Sequence, residues 1–325
     1  MRYDAAQDCV NFIMAQENLG EFEIIDRLRK KFHQNSSVIV PSGDDAAIVS
    51  MPDGDVVITT DVAVEGVHFR KDWSTPIEIG QRIAAQNFSD VVAMGAWPVA
   101  IVVAVVAPKD TPFNFLEALT AGIEDECKKV DASVVGGDMS SGAQLMIAIT
   151  AIGQRRGIAP VLRSGAQVSD TVYVSGRLGY SAAGLACLMR GSRSPREAVN
   201  AYLTVEPNYQ LGIDAARAGA HSMIDISDGL IADAGHIAAA SAVRINLDSN
   251  ALQPDDFLTT LATGLGVDPW EWVLAGGEDH GLLATFAGEA PAGFRPIGRV
   301  EVGEAGVWVD GQTPRFVRGH DHFAG

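Results

Sequence analysis

Cysteine is scarce: Cys9, Cys127 and Cys187 are the only three in 325 residues, and none forms a CxxC pair. That spacing excludes a disulfide framework and a cysteine-built zinc site, and it fits a reducing cytoplasm. Basic residues are outnumbered. Twenty-four Lys and Arg against 41 Asp and Glu give a formal net charge of −17. A nucleic-acid binder needs the opposite balance, whereas a phosphate ligand is compatible if metal cations supply the positive charge. Long apolar runs are missing too. The most apolar stretch, residues 97–108 (WPVAIVVAVVAP), is shorter than the ~20 residues a membrane-crossing helix needs. Its β-branched content and bounding prolines predict a buried strand. Residues 1–20 hold Asp4, Asp8 and Glu17 and no apolar run, unlike a signal or transit peptide.

What is present suits two cores. Hydrophobic residues make up 47% of the chain, and domains usually run about 100–200 residues. The polar stretch 157–170, with Gly157, Pro160 and Gly165, is the candidate linker, dividing the chain into 1–160 and 161–325. Apolar spacing predicts helices over 21–32, 77–94, 112–130, 181–190, 207–219 and 229–241. Strands are expected over 56–60, 97–108, 132–135, 145–153, 171–175, 243–247, 281–286 and 307–309. Both halves mix the two element types, so the fold class is α/β or α+β with mixed sheets. No fixed-period repeat or low-complexity tract occurs.

The unusual feature is a series of acidic residues at glycine- or serine-rich sites, several just after apolar runs. They are Gly43-Asp44-Asp45, Thr59-Thr60-Asp61, the Asn87–Asp90 segment, Gly136-Gly137-Asp138, the Asp225–Gly229 segment and Gly276-Gly277-Glu278-Asp279. Any one alone reads as a turn or helix cap, because a short carboxylate satisfies free backbone N–H groups. Six together read differently. Strand ends in α/β folds converge on one cleft, and carboxylates gathered there repel one another. Mg²⁺ removes that conflict, since it takes oxygen ligands from a few carboxylates plus substrate phosphates. Thr59, Ser89 and Ser227 offer further oxygens, and the glycines let backbone approach a phosphate. These residues point to a multi-metal site that handles polyphosphate, with kinase, synthetase and phosphohydrolase chemistry all open.

Other nucleotide-site designs are absent. There is no GxxxxGK[ST], no HRD–DFG set, no GxSxG and no HExxH. The segment Gly176-Arg177-Leu178-Gly179 does not have GxGxxG spacing and reads as a tight turn before a helix. His320 and His322 lie close together without a cysteine ligand nearby.

Taken as an ordered set, the motifs resemble the thiamine-monophosphate kinase family. They are GEFEII (20–25), GDDAAIV (43–49), TTDVAVEGVHF (59–69), NFSDVVAMGAWP (87–98), VGGDMSSG (135–142), RSGAQVSD (163–170), SGRLGYSAAGL (175–185), IDISDGLIADAGHI (224–237), GGEDH (276–280) and GHDHF (319–323). They cover nearly the whole chain. The resemblance implies a two-domain architecture like that of aminoimidazole-ribonucleotide synthetase, a homodimer formed through N-terminal sheets, and a cytoplasmic enzyme. It implies direct transfer of the ATP γ-phosphate to thiamine monophosphate with several Mg²⁺ ions and no phosphoenzyme. A monovalent cation is a further candidate cofactor.

Carried over motif by motif, the resemblance makes Asp45, Asp61, Asp90, Asp138, Asp225 and Asp228 metal ligands, with Thr59 and Thr60 helping. Gly137, Asp138, Arg163 and Ser227 become ATP contacts. His68, Glu278 and His320 become acceptor contacts. Asp45, Asp61, Asp90, Asp138 and Arg163 act in catalysis electrostatically or through metal, without a covalent nucleophile. Two positions depart from the family: His320 stands where an aromatic residue is usual, and His280 where tyrosine is common. The competing readings are a non-catalytic nucleotide- or metal-binding regulator and another ATP-dependent enzyme of the same superfamily. The chain lacks the reactive N-terminal-loop cysteine and the C-terminal cysteine tail that two of those relatives need.

Overall fold

The computed structural model describes residues 21–41, 48–52 and 54–316. Asp45 and His320 lie outside the described residues, as do residues 1–20. Two β-sheets carry the chain, one on each side of the 157–170 stretch. The first has the order β3-β6-β4-β5, formed by β3 (Val57–Val64), β4 (Trp97–Ala107), β5 (Ser133–Ser141) and β6 (Met146–Gln154). β6 runs antiparallel to both β3 and β4, while β4 and β5 are parallel. A short β1 (Val38–Val40) and β2 (Ile48–Val49) pair beside it, after helix α1 (Glu21–Arg29).

One face of this sheet is covered by helices α2 (Pro76–Ala93) and α3 (Phe113–Val130). α2 begins where the residue types dictate. Thr75 Oγ1 accepts from the Glu78 N–H, the Glu78 carboxylate accepts from the Thr75 N–H, and Pro76 occupies the first turn. This capping box satisfies helix-end donors that would otherwise lack partners. α2 then buries Ile79, Ile83, Phe88 and Val91 against Ile101, Ile147 and Ile149 of the sheet. α2 and α3 cross at glycines. A Cβ on Gly80 would sit 2.2 Å from the Leu119 carbonyl oxygen, and one on Gly122 would sit 2.1 Å from that of Ile77, so only hydrogen fits at either point.

The second sheet has the order β12-β9-β11-β7-β10-β8. It comprises β7 (Thr171–Ser175), β8 (Ser222–Asp225), β9 (Arg244–Leu247), β10 (Leu282–Phe286), β11 (Phe294–Glu301) and β12 (Gly306–Val309). All its pairs are antiparallel except β12 with β9. Around it lie α4 (Tyr180–Met189), α5 (Arg196–Leu203), α6 (Tyr209–Arg217), α7 (Leu230–Ser241), α8 (Asp256–Leu265) and α9 (Pro269–Ala275). Its core joins Val172, Val174, Ile224, Leu230, Ile237 and Leu283.

The two halves are not independent beads. Ala93 and Val161 share one cluster with Leu211, Ala215, Met223 and Phe286. α2 therefore packs on the first sheet and also lies against β8 and α6 of the second half. No described helix is long and apolar enough to cross a membrane. Cys127 and Cys187 are free and buried.

Several expectations shift. Residues 157–170 hold turns and one 3₁₀ turn (Arg163–Gly165). The strand expected at 132–135 runs on to Ser141. The strand expected to stop before Asp61 continues to Val64. β1, β2, β8, β11, α5, α8 and α9 were not foreseen.

Candidate active site

The side chains that meet in space come from four places. In β3, alternate residues face opposite sides. Ile58, Thr60 and Val62 are exposed on the open face, whereas Thr59, Asp61 and Ala63 turn toward α2. In α2, Arg82, Gln86 and Asp90 recur every four residues and so share one face. Where the two faces meet, Thr59 Oγ1 donates to Asp90 Oδ2 at 2.7 Å. Asp90 thus stands in the last turn of a helix rather than in a loop.

The second half contributes the end of β8 and the loop 276–281. Asp225 closes β8, and Ser227 and Asp228 follow in the turn before α7. That turn is held by Asp233, whose carboxylate accepts from the Asp228 and Gly229 N–H groups at 3.1 Å each. The 276–281 loop pairs with it: Glu278 N–H donates to the Ser227 carbonyl at 2.7 Å, and His280 N–H to that of Ile226 at 2.9 Å. Gly277 is required here, because a Cβ would lie 2.4 Å from the Ser227 carbonyl oxygen.

Between the halves lies a cavity of about 450 Å³. From the first half Thr60, Asp61, His68, Arg82, Gln86 and Asp90 line it. From the second come Ser181, Tyr202, Asp225, Ser227, Asp228, Glu278 and His280. Its electrostatics divide in two. On one side carboxylates crowd together. Burial, then the charges of Asp225 and Asp61, push the Asp90 carboxyl up to about 7. Burial raises that of Asp61 as well, partly offset by His280. On the other side charges are matched. Burial opposes ionisation of Glu278, but Arg82 and His280 outweigh it and hold its carboxyl well below the usual range. Glu278 Oε2 receives Arg82 Nη2 at 3.1 Å, His280 Nε2 at 3.2 Å and the Gln86 amide. Arg82 also donates to the Tyr202 carbonyl at 2.8 Å and stacks over that ring, 4.2 Å from its centre.

The crowded side fits a hard divalent cation. Its donors are all oxygens, they repel one another, and a cation is what would let Asp61 and Asp90 ionise together. Asp228, Asp233 and His236 also bring ligand atoms within 4.8 Å of one another, although Asp233 is already committed to its two backbone donors.

Of the residues singled out in the sequence, Thr60, Asp61, His68, Asp90, Asp225, Ser227, Asp228 and Glu278 line this cavity. Thr59 reaches it through Asp90. The Thr60 hydroxyl donates to the Ile149 carbonyl at 3.0 Å. His68 Nδ1 accepts from the Val64 N–H at 3.0 Å, which places its ring proton on Nε2. Ser89 is wholly buried and does not line the cavity. Gly137 and Asp138 are exposed on β5, at the opposite edge of the sheet from β3, three strand spacings or about 14 Å away. Arg163 is exposed in its 3₁₀ turn, where its carbonyl accepts from Ser241 Oγ at 2.8 Å. The sequence reading missed Arg82, Gln86, Ser181 and Tyr202. Arg82 and Gln86 were detectable, since each lies a multiple of four residues before Asp90 on an evident helix. Ser181 Oγ is buried in the cavity wall with no hydrogen-bond partner.

Residues 43–154 match the family described as "AIR synthase related protein, N-terminal domain". Thiamine-monophosphate kinase of Mycobacterium tuberculosis is 50% identical over 91% of this chain and 89% of its own length. That of Corynebacterium glutamicum is 44% identical over 94% of each. A solved structure described as "AaThiL complexed with AMPPCP and TMP" superposes with a TM-score of 0.76 at 34% identity, covering 96% of this chain and all of that one. Identity of this order along almost the full length, over a fold that brings Asp61, Asp90, Asp225, Asp228 and Glu278 to one cavity, leaves one assignment: the chain belongs to the thiamine-monophosphate kinase family.

Proposed function

We propose that this protein transfers the γ-phosphate of ATP to thiamine monophosphate, forming thiamine diphosphate in the last step of its biosynthesis. The observation that carries the reading is the divided cavity: mutually repelling carboxylates on one side, the matched Arg82–Glu278–His280 cluster on the other. Two anionic substrates must meet end to end, and their repulsion is the main obstacle. Mg²⁺ held by Asp61, Asp90, Asp225 and Asp228, with Asp45 and Thr59 contributing, supplies the neutralising charge. His68 and Glu278 orient the acceptor, and Ser227 orients ATP. The acceptor oxygen is already ionised at neutral pH, so no strong general base is required.

The same reading assigns residues 1–160 to a metal-binding and dimerising domain and 161–325 to a domain that completes the site. The enzyme works in the cytoplasm as a homodimer, joined through the open face of the first sheet. Gly137, Asp138 and Arg163 belong to the ATP and metal side, and His320 to the acceptor side. Asp138 and Arg163 stand off the cavity, so each makes an independent test. Asp138→Asn and Arg163→Ala should each lower turnover by about 10²-fold; a loss below about threefold removes that residue from the machinery. The function itself is checked by chromatography of product from ATP and thiamine monophosphate, with and without Mg²⁺. Absence of thiamine diphosphate under every metal condition overturns it, and tight ATP binding without product favours a regulator.

A further inference from the structure

We propose that His280 is a positioning residue that holds the metal-side carboxylate of Asp225 and the acceptor-side carboxylate of Glu278 in register through the two nitrogens of one ring. The inference rests on the kinase reading above and deepens it. Nδ1 lies 3.1 Å from Asp225 Oδ2, and Nε2 lies 3.2 Å from Glu278 Oε2. An ionised carboxylate only accepts hydrogen bonds, so a donor between the two is what lets them stand this close. The side chain is 3% exposed, and a buried ring with both nitrogens engaged has little freedom to turn.

The backbone is shaped to deliver this ring. Glu278 and His280 both adopt left-handed conformations, with φ of 66° and 49°, which side chains larger than hydrogen adopt reluctantly. Such residues persist where their surroundings over-determine them. Here the surroundings are the Ser227 and Ile226 carbonyls, bonded to the two residues' own N–H groups, and the Ile226 N–H bonded to the Gly281 carbonyl at 2.8 Å. Asp279, between them, serves the opposite side. Its carboxylate accepts from Gly179 N–H at 2.6 Å and Ser181 N–H at 3.1 Å, capping α4. One short loop therefore ties α4, β8 and α2 to both halves of the cavity. A side chain with a single O–H could reach only one of the two carboxylates. The histidine gives this chain a two-ended link.

Two substitutions separate the ends. His280→Asn keeps an amide N–H near the Nδ1 position, and His280→Gln keeps one near Nε2. Calorimetry on full-length protein reads the binding of thiamine monophosphate and, separately, of Mg²⁺ with a non-hydrolysable ATP analogue. His280→Asn should weaken thiamine monophosphate about tenfold and leave the nucleotide within about twofold; His280→Gln should do the reverse. Equal losses of both ligands, no loss of either, or the opposite split overturns the inference. Wild-type protein labelled with ¹⁵N-histidine supplies a measurement that no folding defect can confuse. The Nε2 signal of His280 should move on adding thiamine monophosphate, and the Nδ1 signal on adding Mg²⁺ and the analogue. A ring whose signals ignore both ligands overturns the inference. Failure of the kinase reading shows separately, as wild-type protein that makes no thiamine diphosphate.

Discussion

Asp90 is among the carboxyls that make the cavity respond to pH. Its carboxyl, pushed up to about 7 by burial and then by Asp225 and Asp61, sits far above the usual carboxylate range. A carboxyl raised in the fold contributes stability at low pH, and that contribution is lost as pH rises through about 7. His280 has the same sign. Burial works against its charge, but its bonds to Asp225 and Glu278 carry it to about 10, so its contribution fades only at higher pH. Metal-free protein should therefore melt at a lower temperature at about pH 8 than at about pH 6, and Mg²⁺ should raise the melting temperature more at the higher pH. Scanning fluorimetry at both pH values checks this; equal Mg²⁺ shifts contradict it. Near neutral pH, metal binding should also release a proton, seen as a heat that varies with the buffer's ionisation enthalpy. Asp90→Asn should reduce that release.

At the scale of elements, α2 is the part that cannot move without moving the site. It caps itself at Thr75, crosses α3 through Gly80 and Gly122, and carries Arg82, Gln86 and Asp90 to the cavity. Gly122→Ala would place a methyl 2.1 Å from the Ile77 carbonyl oxygen. The helices would have to separate, at a cost of about 1–3 kcal/mol by the usual toll of overpacking. Thermal denaturation should show that loss, with turnover falling further than stability alone explains; an unchanged melting temperature contradicts it. α2 was also the most legible element, because its apolar spacing and its Thr75–Glu78 pair are local signals. β5 was the opposite case. Gly136-Gly137-Asp138 reads as a turn, yet these residues are strand because β4 offers a long parallel edge that pairs through Ser141. Tertiary pairing overrides local preference there. β11 was hidden by Pro296 and Gly298, which sit at a register shift against β7, and bulges are where strands tolerate such residues. The site was legible as chemistry, since acidic motifs name their own ligand class. Its matched side was not, because Arg82 meets Glu278 and Tyr202 only through packing between the halves.

For the molecule as a whole, the decisive asymmetry is the first sheet. Helices cover one face, and the other presents Ile58 at 63% exposure with Val102 and Met146 at 37% each. These lie on β3, β4 and β6, neighbouring strands of one sheet, so they form a surface rather than scattered exposed residues. An apolar patch on a folded protein marks an interaction surface, and the homodimer proposed above would seat a second copy on it. Each large aliphatic side chain removed from water contributes about 1.5–3 kcal/mol. Placing charge at two such positions should therefore raise the dimer dissociation constant by a factor on the order of 10³. Ile58 and Val102 do not line the cavity, so Ile58→Lys with Val102→Lys tests assembly without touching the cavity wall. Sedimentation velocity at micromolar concentration should find wild-type dimer and variant monomer. A variant that stays dimeric with unchanged affinity places the dimer contact elsewhere on the molecule. A wild-type protein that is already monomeric removes the dimer altogether, and the open face of the sheet then needs a different partner.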